Sequence, residues 1–386
     1  MDKIKIGFIP LNDCASLIVA KEQGFFEEQG LNVELQREVS WSNIRDKLVF
    51  GEYDAAHMLA PMLMSSTLGL GGIKRPLVTA YSFAINGNAI SVSNALYDEM
   101  SEYESQLVLK PEKSACVLKK VINARAEKGL PKLRFAVVFP FSMHQYLLRY
   151  WLAEGGIDAD KDVHLTVVPP PSMVQALEEN LIDAYCVGEP WNTHAVKRKV
   201  GVTLITGYEI WNNAPDKVLG VRKDWAEQNA ETHEKIIRAL YRASEWLDQV
   251  ENRETLSDYL SSPQYVGAPR ESIKNAFSGE VCNPSCSTCR NIPDFFSPFK
   301  HLANFPWQSH AEWILTQMKR WHQIPEEVDI QAMAEEVYLT DVYRSVVSKL
   351  GVALPSVNRK EEGVHAEPWL LDGVEIGEDR FILVQN

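Results

Sequence analysis

The chain has 386 residues, 45% of them hydrophobic and 24% charged, which is typical of a globular protein with room for two or three lobes. Its net charge of −13 argues against direct binding to nucleic acid or to an anionic membrane surface. No stretch approaches the roughly 20 apolar residues that cross a bilayer, and the residues after Met1 lack the apolar core of a signal peptide. We therefore expect a cytoplasmic protein.

The first sixty residues are predicted to form strands that alternate with helices. Residues 3–10 form an apolar strand, and the helix after it ends near Gly24. A second strand follows. The next helix begins at Trp41, because Ser40 is a favourable N-cap residue, and residues 53–58 form a short buried strand.

Residues 76–93 are predicted to form a hairpin-like stretch around an Asn-Gly turn at residues 86–88. An alternative is that the backbone N–H groups of this turn and the Asn88 amide face a binding cleft. Residues 91–112 are then expected to carry the chain into a second lobe, in which residues 110–128 are largely helical.

A βαβαβ unit is predicted within residues 134–191. Three apolar runs, FAVVF, HLTVV and DAYCV, alternate with amphipathic segments that begin at Ser142 and Ser172. Ligands bind beyond the carboxyl ends of such strands, where helix N-termini present free N–H groups. His144 follows the first run and Glu189 follows the third, so both are expected at one edge of a parallel sheet, which is the first candidate site.

The chain is predicted to return to its first lobe near residues 207–211. A loop, a strand and a long helix at about 230–250 follow, and the remainder is mostly helical with a small strand pair near its end, at 369–386. The predicted fold is α/β with two lobes and a C-terminal, mostly helical extension. The first lobe is discontinuous and comprises residues 1–90 and 208–386, the latter with the C-terminal extension. The second lobe is inserted between these pieces and comprises residues 91–207.

Several longer stretches resemble one known family. They are GEYDAAHMLAPM, NGNAISV, AYCVGEPWN, IWNNAPDKVLGVRKDW and FPWQSHAEWILTQMKRW, together with the βαβαβ segment. The combination resembles the nitrate, sulfonate and bicarbonate branch of type II periplasmic solute-binding proteins. The resemblance implies a two-lobed α/β fold with a hinge, an anion pocket and no enzymatic activity.

By this resemblance, four side chains line the anion pocket: Trp41, Asn88, His144 and Lys217. Nitrate is flat and singly charged and only accepts hydrogen bonds, so indole, amide, imidazole and ammonium donors suit it. Lys217 supplies the counter-charge, unless it is a solvated surface lysine; bicarbonate receptors carry a metal-recruiting carboxylate near this position. Asn88 departs from the glutamine that is common in transport receptors. Glu189 is also predicted at the ligand-binding site, where it either pairs with Lys217 or caps backbone N–H groups.

Three of the six cysteines are clustered, in the order Cys282, Cys286 and Cys289. Their C-x3-C-x2-C spacing is within reach of one metal ion or an iron–sulfur cluster, with a fourth ligand such as His301. The alternatives are a loop without metal and a catalytic loop like that of a related fold in thiamine pyrimidine synthesis. A reducing compartment leaves all six cysteines reduced. We expect no cofactor other than such a structural metal.

The resemblance extends to cytosolic nitrate/nitrite sensors of the NasS type, which sequester an RNA-binding antiterminator until ligand arrives. We therefore predict a nitrate- or nitrite-binding sensor whose lobes close on the anion and change the surface that this partner contacts. One alternative is the substrate-binding component of a nitrate ABC transporter. The other is a metal-dependent, pyrimidine-forming enzyme, although no nucleophile–base pair or phosphate-binding loop is recognisable.

Overall fold

The computed structural model describes residues 3–283 and 288–382. In these residues the chain forms two five-stranded sheets and four two-stranded ladders, and helices pack around the sheets. The apolar core is extensive and includes residues from both large sheets. Strands and helices alternate along the chain, which confirms the predicted α/β class. Among the described helices, none combines the length and the apolar character that a bilayer crossing requires.

Residues 3–78 supply four strands of the first sheet and the helices between them. In chain order the elements are β1 (Lys3–Phe8), α1 (Ala15–Glu22), α2 (Phe25–Glu28), β2 (Asn32–Arg37), α3 (Trp41–Val49), β3 (Ala55–Leu59), α4 (Ala60–Leu68) and β4 (Leu77–Val78). Strand β1 is parallel to both β2 and β3. Helix α3 begins where it was predicted, because the Ser40 hydroxyl accepts a 3.3 Å hydrogen bond from the Asn43 N–H and caps the helix.

The next part of the chain, residues 85–210, contains the second sheet. Its elements are β5 (Ile85–Asn86), β6 (Asn88–Ser93), α5 (Asn94–Ser101), α6 (Ser114–Glu127), β7 (Arg134–Val137), α7 (Met143–Glu154), β8 (His164–Val167), α8 (Met173–Glu178), β9 (Ala184–Gly188), α9 (Trp191–Lys197), β10 (Gly201–Thr206) and α10 (Gly207–Ile210). The strand order is β10-β6-β9-β7-β8. Strand β7 is parallel to β8 and β9, which confirms the predicted βαβαβ unit. Strand β6 is antiparallel to both of its neighbours.

The last part returns to the first sheet and then becomes mostly helical. Its elements are β11 (Lys217–Arg222), α11 (Lys223–Gln228), α12 (Ala230–Asp248), α13 (Arg253–Ser261), α14 (Arg270–Ala276), β12 (Glu280–Asn283), β13 (Thr288–Asn291), β14 (Phe296–Ser297), α15 (Gln308–Arg320), α16 (Ile330–Val337), α17 (Thr340–Val347), β15 (Val364–His365), β16 (Trp369–Leu371), β17 (Val374–Ile376) and β18 (Asp379–Arg380). Strand β11 lies antiparallel to β3 and gives the first sheet the order β2-β1-β3-β11-β4. Strands β16 and β17 form the predicted terminal strand pair; residues 383–386 of that prediction lie outside the described residues.

The hairpin predicted around Gly87 is wrong. Strand β5 pairs with β14, whereas β6 pairs with β9 and β10, so β5 and β6 do not pair with each other. The turn itself is tight, with φ of +65° at Asn86 and +87° at Gly87, and a Cβ at Gly87 would lie 2.8 Å from the Phe296 ring. The chain uses this turn to enter the second sheet at Asn88, upstream of the predicted crossover. The lobe boundaries at residues 90 and 207 stay predictions.

The C-terminal residues 378–382 run beside the segment that joins β10 to β11. The Trp211 indole donates a 2.6 Å hydrogen bond to the Asp379 carboxylate. The Phe381 ring packs 5.0 Å from the Trp211 ring and 5.6 Å from Tyr150 on α7. The end of the described chain therefore contacts both the connection between the sheets and a helix that covers the second sheet.

Candidate functional site

The predicted pocket residues all lie where a strand or helix begins. From the first sheet, Trp41 is the first residue of α3 and Lys217 the first of β11. From the second sheet, Asn88 is the first residue of β6, and His144 lies in the first turn of α7. The structure brings these four side chains together and buries them. It adds two carboxylates that were not predicted. We name the whole set the Lys217 cluster, which consists of Asp13, Trp41, Asn88, His144, Asp216 and Lys217.

Elements of the two sheets are in direct contact around this cluster. The Asn12 N–H donates a 2.7 Å hydrogen bond to the Glu189 carbonyl, and the Trp191 indole donates a 3.1 Å hydrogen bond to the Pro10 carbonyl. A Cβ added to Gly188 would lie 3.4 Å from the Asp13 carboxylate. The cluster is therefore enclosed between the two sheets.

Lys217 holds two carboxylates at the centre of the cluster. Its Nζ lies 2.8 Å from Asp13 Oδ2 and in direct contact with Asp216 Oδ2. Burial lowers the pKa of Lys217, but the charges of Asp13 and Asp216 outweigh burial and leave that pKa raised. Lys217 is therefore an ammonium group whose charge is already shared, and it is not a surface lysine.

The two carboxylates have different environments. Burial raises the pKa of Asp13, but the charge of Lys217 and the contact with His57 outweigh burial, so the pKa of Asp13 is lowered overall. Its Oδ1 lies 2.9 Å from His57 Nε2, although the two are not aligned as a hydrogen bond. Burial raises the pKa of Asp216 to about 6, although the charge of Lys217 lowers it, and the charge of Asp13 adds to the rise. Asp216 is thus the carboxyl that gains a proton more easily.

His144 contacts Lys217 through one ring nitrogen, and its other ring nitrogen is unpaired among the described residues. Its Nε2 lies 3.4 Å from Lys217 Nζ, and an ammonium group can only donate, so Nε2 accepts and the proton lies on Nδ1. His144 Nδ1 has no hydrogen-bond partner among the described residues. Burial and the charge of Lys217 hold the pKa of His144 well below its usual value, so the ring is neutral at pH 7.

Trp41 and Asn88 also present buried polar atoms without a partner in the described part of the chain. The Trp41 ring centre lies 6.0 Å from Lys217 Nζ, and its indole N–H is unpaired. A hydrogen bond with the Asn88 side chain lowers the pKa of Asp216, while the Asn88 Oδ1 is left unpaired. Buried donors and acceptors in folded proteins are nearly always paired, so several unpaired atoms within one cluster of side chains indicate a candidate ligand site.

Glu189 is not part of this cluster. The sequence allowed either a pair with Lys217 or a capping role, and the structure shows the second, because Glu189 Oε2 accepts a 3.1 Å hydrogen bond from the Thr193 N–H. Burial raises the pKa of Glu189 to about 7. The side chain lines a separate cavity of about 200 Å³ next to Cys282. The shared sheet edge predicted for Glu189 and His144 therefore does not bring their side chains to one centre.

The structure does not support a metal site at the cysteine loop, which the sequence offered as one of three alternatives. Cys282 and Cys289 face each other across β12 and β13 and form a disulfide of 2.09 Å. Cys286, the third predicted ligand, lies outside the described residues, and no group of His, Cys, Asp and Glu within the described ranges could hold a metal ion. The proposed fourth ligand, His301, has its Nε2 3.3 Å from Asp294 instead. The expectation that all six cysteines are reduced is also wrong for this pair.

Sequence reasoning missed Asp13 and Asp216. Asp13 follows the carboxyl end of β1, a position of the kind that drew attention to His144 and Glu189. Asp216 directly precedes Lys217. Both signals were present, but only the folded chain shows that the two carboxylates reach the same ammonium group.

Comparison with known proteins places the chain in a family. A model of the NMT1-like family matches residues 1–261. The chain is 38% identical to the nitrate import ATP-binding protein NrtC of Synechocystis sp. over 96% of its own length, but it spans only 53% of that protein. It is 34% identical to the nitrate/nitrite binding protein NrtA of Nostoc sp., covering 91% of this chain and 78% of NrtA.

The fold matches solved structures of the same kind. The crystal structure of the periplasmic nitrate-binding protein NrtA from Synechocystis PCC 6803 aligns with a TM-score of 0.86 at 30% identity, covering 97% of this chain and 95% of that one. This match confirms the predicted two-lobed, type II periplasmic-binding-protein-like fold. The chain belongs to the NMT1-like family and, with it, to the nitrate/bicarbonate solute-binding proteins that its sequence resembles.

Proposed function

We propose that the chain is a receptor that binds nitrate or nitrite reversibly at the Lys217 cluster. The observation that carries this proposal is a set of buried N–H groups around one ammonium group, on side chains that lie next to Lys217. Lys217 Nζ, His144 Nδ1 and the Trp41 indole N–H belong to three different elements, and the last two have no partner among the described residues. A small oxyanion, which only accepts hydrogen bonds, satisfies such donors.

Two further points support a small oxyanion. The donors are buried, so water does not compete for them and charge-assisted hydrogen bonds are stronger than at the surface. The related proteins NrtA and NrtC are a nitrate/nitrite binding protein and a nitrate import ATP-binding protein.

The test is calorimetric titration with nitrate, nitrite, bicarbonate and a short alkanesulfonate. Nitrate or nitrite is expected to bind to the wild type. Trp41→Phe keeps most of the ring but removes the indole donor and is expected to weaken binding by about 1–3 kcal/mol, roughly 5- to 150-fold. Trp369→Phe is the matched control, because that indole N–H also has no partner in the described ranges but lies on β16. Failure of both anions to bind, or equal losses in the two variants, would contradict the proposal.

We further propose that this receptor is a cytoplasmic sensor, which releases a regulatory partner when the anion binds. The net charge of −13 supports a basic, RNA-binding partner of the antiterminator type and not RNA itself. Anion and partner must lower each other's affinity by the same factor, which for typical coupling is about 5- to 150-fold. A pull-down from the host with and without nitrate, followed by titration of the recovered complex, tests this proposal.

A second candidate, the substrate-binding component of a nitrate transporter, is favoured by two observations. The Cys282–Cys289 disulfide is of the kind that persists in oxidising compartments. The related NrtC and NrtA are named as an import ATP-binding protein and a periplasmic nitrate-binding protein. Recovery of a membrane permease in the pull-down, or of a partner whose affinity ignores nitrate, would support this candidate over the sensor.

A further inference from the structure

We propose that the Lys217 cluster binds its anion together with one proton, which the Asp216 carboxyl takes up. Asp216 is then a residue that determines the pH dependence of binding and the preference for singly charged anions. This inference rests on the proposed function, since it adds a coupled proton to nitrate or nitrite binding at the same place.

The argument begins with the charges in the cluster. Lys217 carries one positive charge, and it touches two carboxylates, Asp13 and Asp216. His57 and His144 are buried, which lowers the pKa of each ring, so neither adds a second positive charge at pH 7. With both carboxylates ionised the cluster has a net charge of −1 before any anion arrives.

An anion that enters this cluster without a proton would raise the buried net charge to −2. Buried charge without a counter-charge is costly, and a buried group usually neutralises itself by a change of protonation. Uptake of one proton leaves the net charge at −1. One of the two carboxylates beside Lys217 then loses its negative charge, and the ammonium group becomes available to the anion.

Asp216 is better placed than Asp13 to accept the proton. Asp13 lies against Lys217 and also 2.9 Å from His57, and both contacts favour its ionised form. Asp216 has an unpaired Oδ1 in the described part of the chain, which leaves room for a proton on that oxygen. The titratable and polar groups that interact with the Asp216 carboxyl come from four elements and are Asp13, Lys217, Cys186 and the Asn88 amide.

The proton balance is simple. A hydronium ion or a buffer acid transfers one proton to Asp216 Oδ1, and no other bond forms or breaks. Nitrate cannot supply this proton, because its conjugate acid is fully dissociated in neutral solution. Glu189 cannot replace Asp216 in this role, because its carboxylate caps the Thr193 N–H and has no contact with Lys217 among the described residues. A doubly charged anion would need a second proton, and the cluster offers no second carboxyl in a similar position.

The direct test is nitrate titration at pH 7.5 in buffers with different ionisation enthalpies, which counts the protons taken up per nitrate. We expect uptake approaching one proton. Affinity is expected to rise by up to about tenfold for each pH unit between pH 8 and about 6, and to level off at lower pH, where Asp216 is already protonated in the free protein. Sulfate is expected to bind at least tenfold more weakly than nitrate at pH 7.5.

Asp216→Asn mimics the protonated side chain and supplies the variant test. It is expected to take up no proton, to lose the pH dependence, and to bind nitrate at least tenfold more tightly than the wild type at pH 8. Asp341→Asn is the control, because it removes the same charge from a side chain that is 96% exposed. It should behave as the wild type.

The outcomes separate the two proposals. Nitrate binding without proton uptake and with constant affinity from pH 6 to 8 would overturn the proton coupling and leave the receptor function intact. Absence of both nitrate and nitrite binding would overturn the receptor function itself. If Asp216→Asn does not fold, the proton count on the wild type still decides the question, because it needs no variant.

Discussion

Replacement of Lys217 by Met should destabilise the ligand-free protein strongly. The substitution keeps most of the side-chain volume but removes the ammonium group that touches Asp13 and Asp216, and all three side chains are buried. Loss of one partner of a buried charge pair typically costs about 3–5 kcal/mol, because the remaining charge has no partner. For domains of this size that corresponds to a melting temperature lower by roughly 6–20 °C.

The cause can be separated from lost packing by two further measurements. Asp13→Asn combined with Lys217→Met removes one of the two unpaired charges, so the double variant should recover about 1–3 kcal/mol relative to Lys217→Met alone. The deficit of Lys217→Met should also be smaller at pH 5 than at pH 8, because burial raises the pKa of Asp216 to about 6 and its charge is lost at the lower pH. Urea denaturation at both pH values measures these differences.

Lys223→Met is the matched control for this experiment. Lys223 pairs with Glu336 at 3.2 Å, but both side chains are substantially exposed, so the change should cost no more than about 1 kcal/mol. A Lys217→Met protein as stable as this control, or a double variant no more stable than the single one, would refute the assignment of Lys217 as the counter-charge for two buried carboxylates. Nitrate affinity of Lys217→Met should fall beyond detection if the anion contacts the ammonium group.

Three other perturbations test separate parts of the structure. Burial, reinforced by the charge of Asp379, raises the pKa of Glu362 to about 8. In the folded state Glu362 therefore keeps a proton that it loses near pH 4.5 in the unfolded state. The free energy of unfolding falls as pH rises from there to about 8. At pH 9, Glu362→Gln should therefore unfold at a higher temperature than the wild type. Replacement of Cys282 and Cys289 together by Ser should cost about 2–3 kcal/mol by opening the disulfide, and an unchanged melting temperature without reductant would contradict this. Phe381→Ala should cost about 1–3 kcal/mol in urea denaturation, and no loss would show that its packing on Trp211 is unimportant.

Local sequence patterns predicted those parts of the fold whose causes are local. The alternation of apolar runs with amphipathic segments gave the βαβαβ unit, because strands and helices in such units bury their apolar faces in a regular order. Ser40 marked the start of α3 in the same way, because an N-cap acts on a backbone N–H three residues away. The Asn-Gly turn was located correctly, but its partners were not. Strand β5 pairs with β14, which is about 210 residues further along the chain, and no local pattern carries that information.

The sequence predicted the hydrogen-bond donors of the candidate site but not its two carboxylates. Trp41, Asn88, His144 and Lys217 are brought together, as the resemblance implied. The resemblance did not reveal that Lys217 already has two carboxylate neighbours, because this depends on how β1 and β11 lie against each other. The cysteine spacing did not predict the disulfide for a related reason. Three cysteines at short intervals suit a metal ion, but the register of β12 and β13 places Cys282 opposite Cys289 and joins them directly.

A crystal structure of the protein grown in nitrate would test the central claim most directly. The account predicts one nitrate ion buried between the two sheets, with oxygens about 2.7–3.2 Å from Lys217 Nζ, His144 Nδ1 and the Trp41 indole nitrogen. A nitrate bound only at the protein surface at saturating concentration, with none of its oxygens in contact with these three donors, would contradict it.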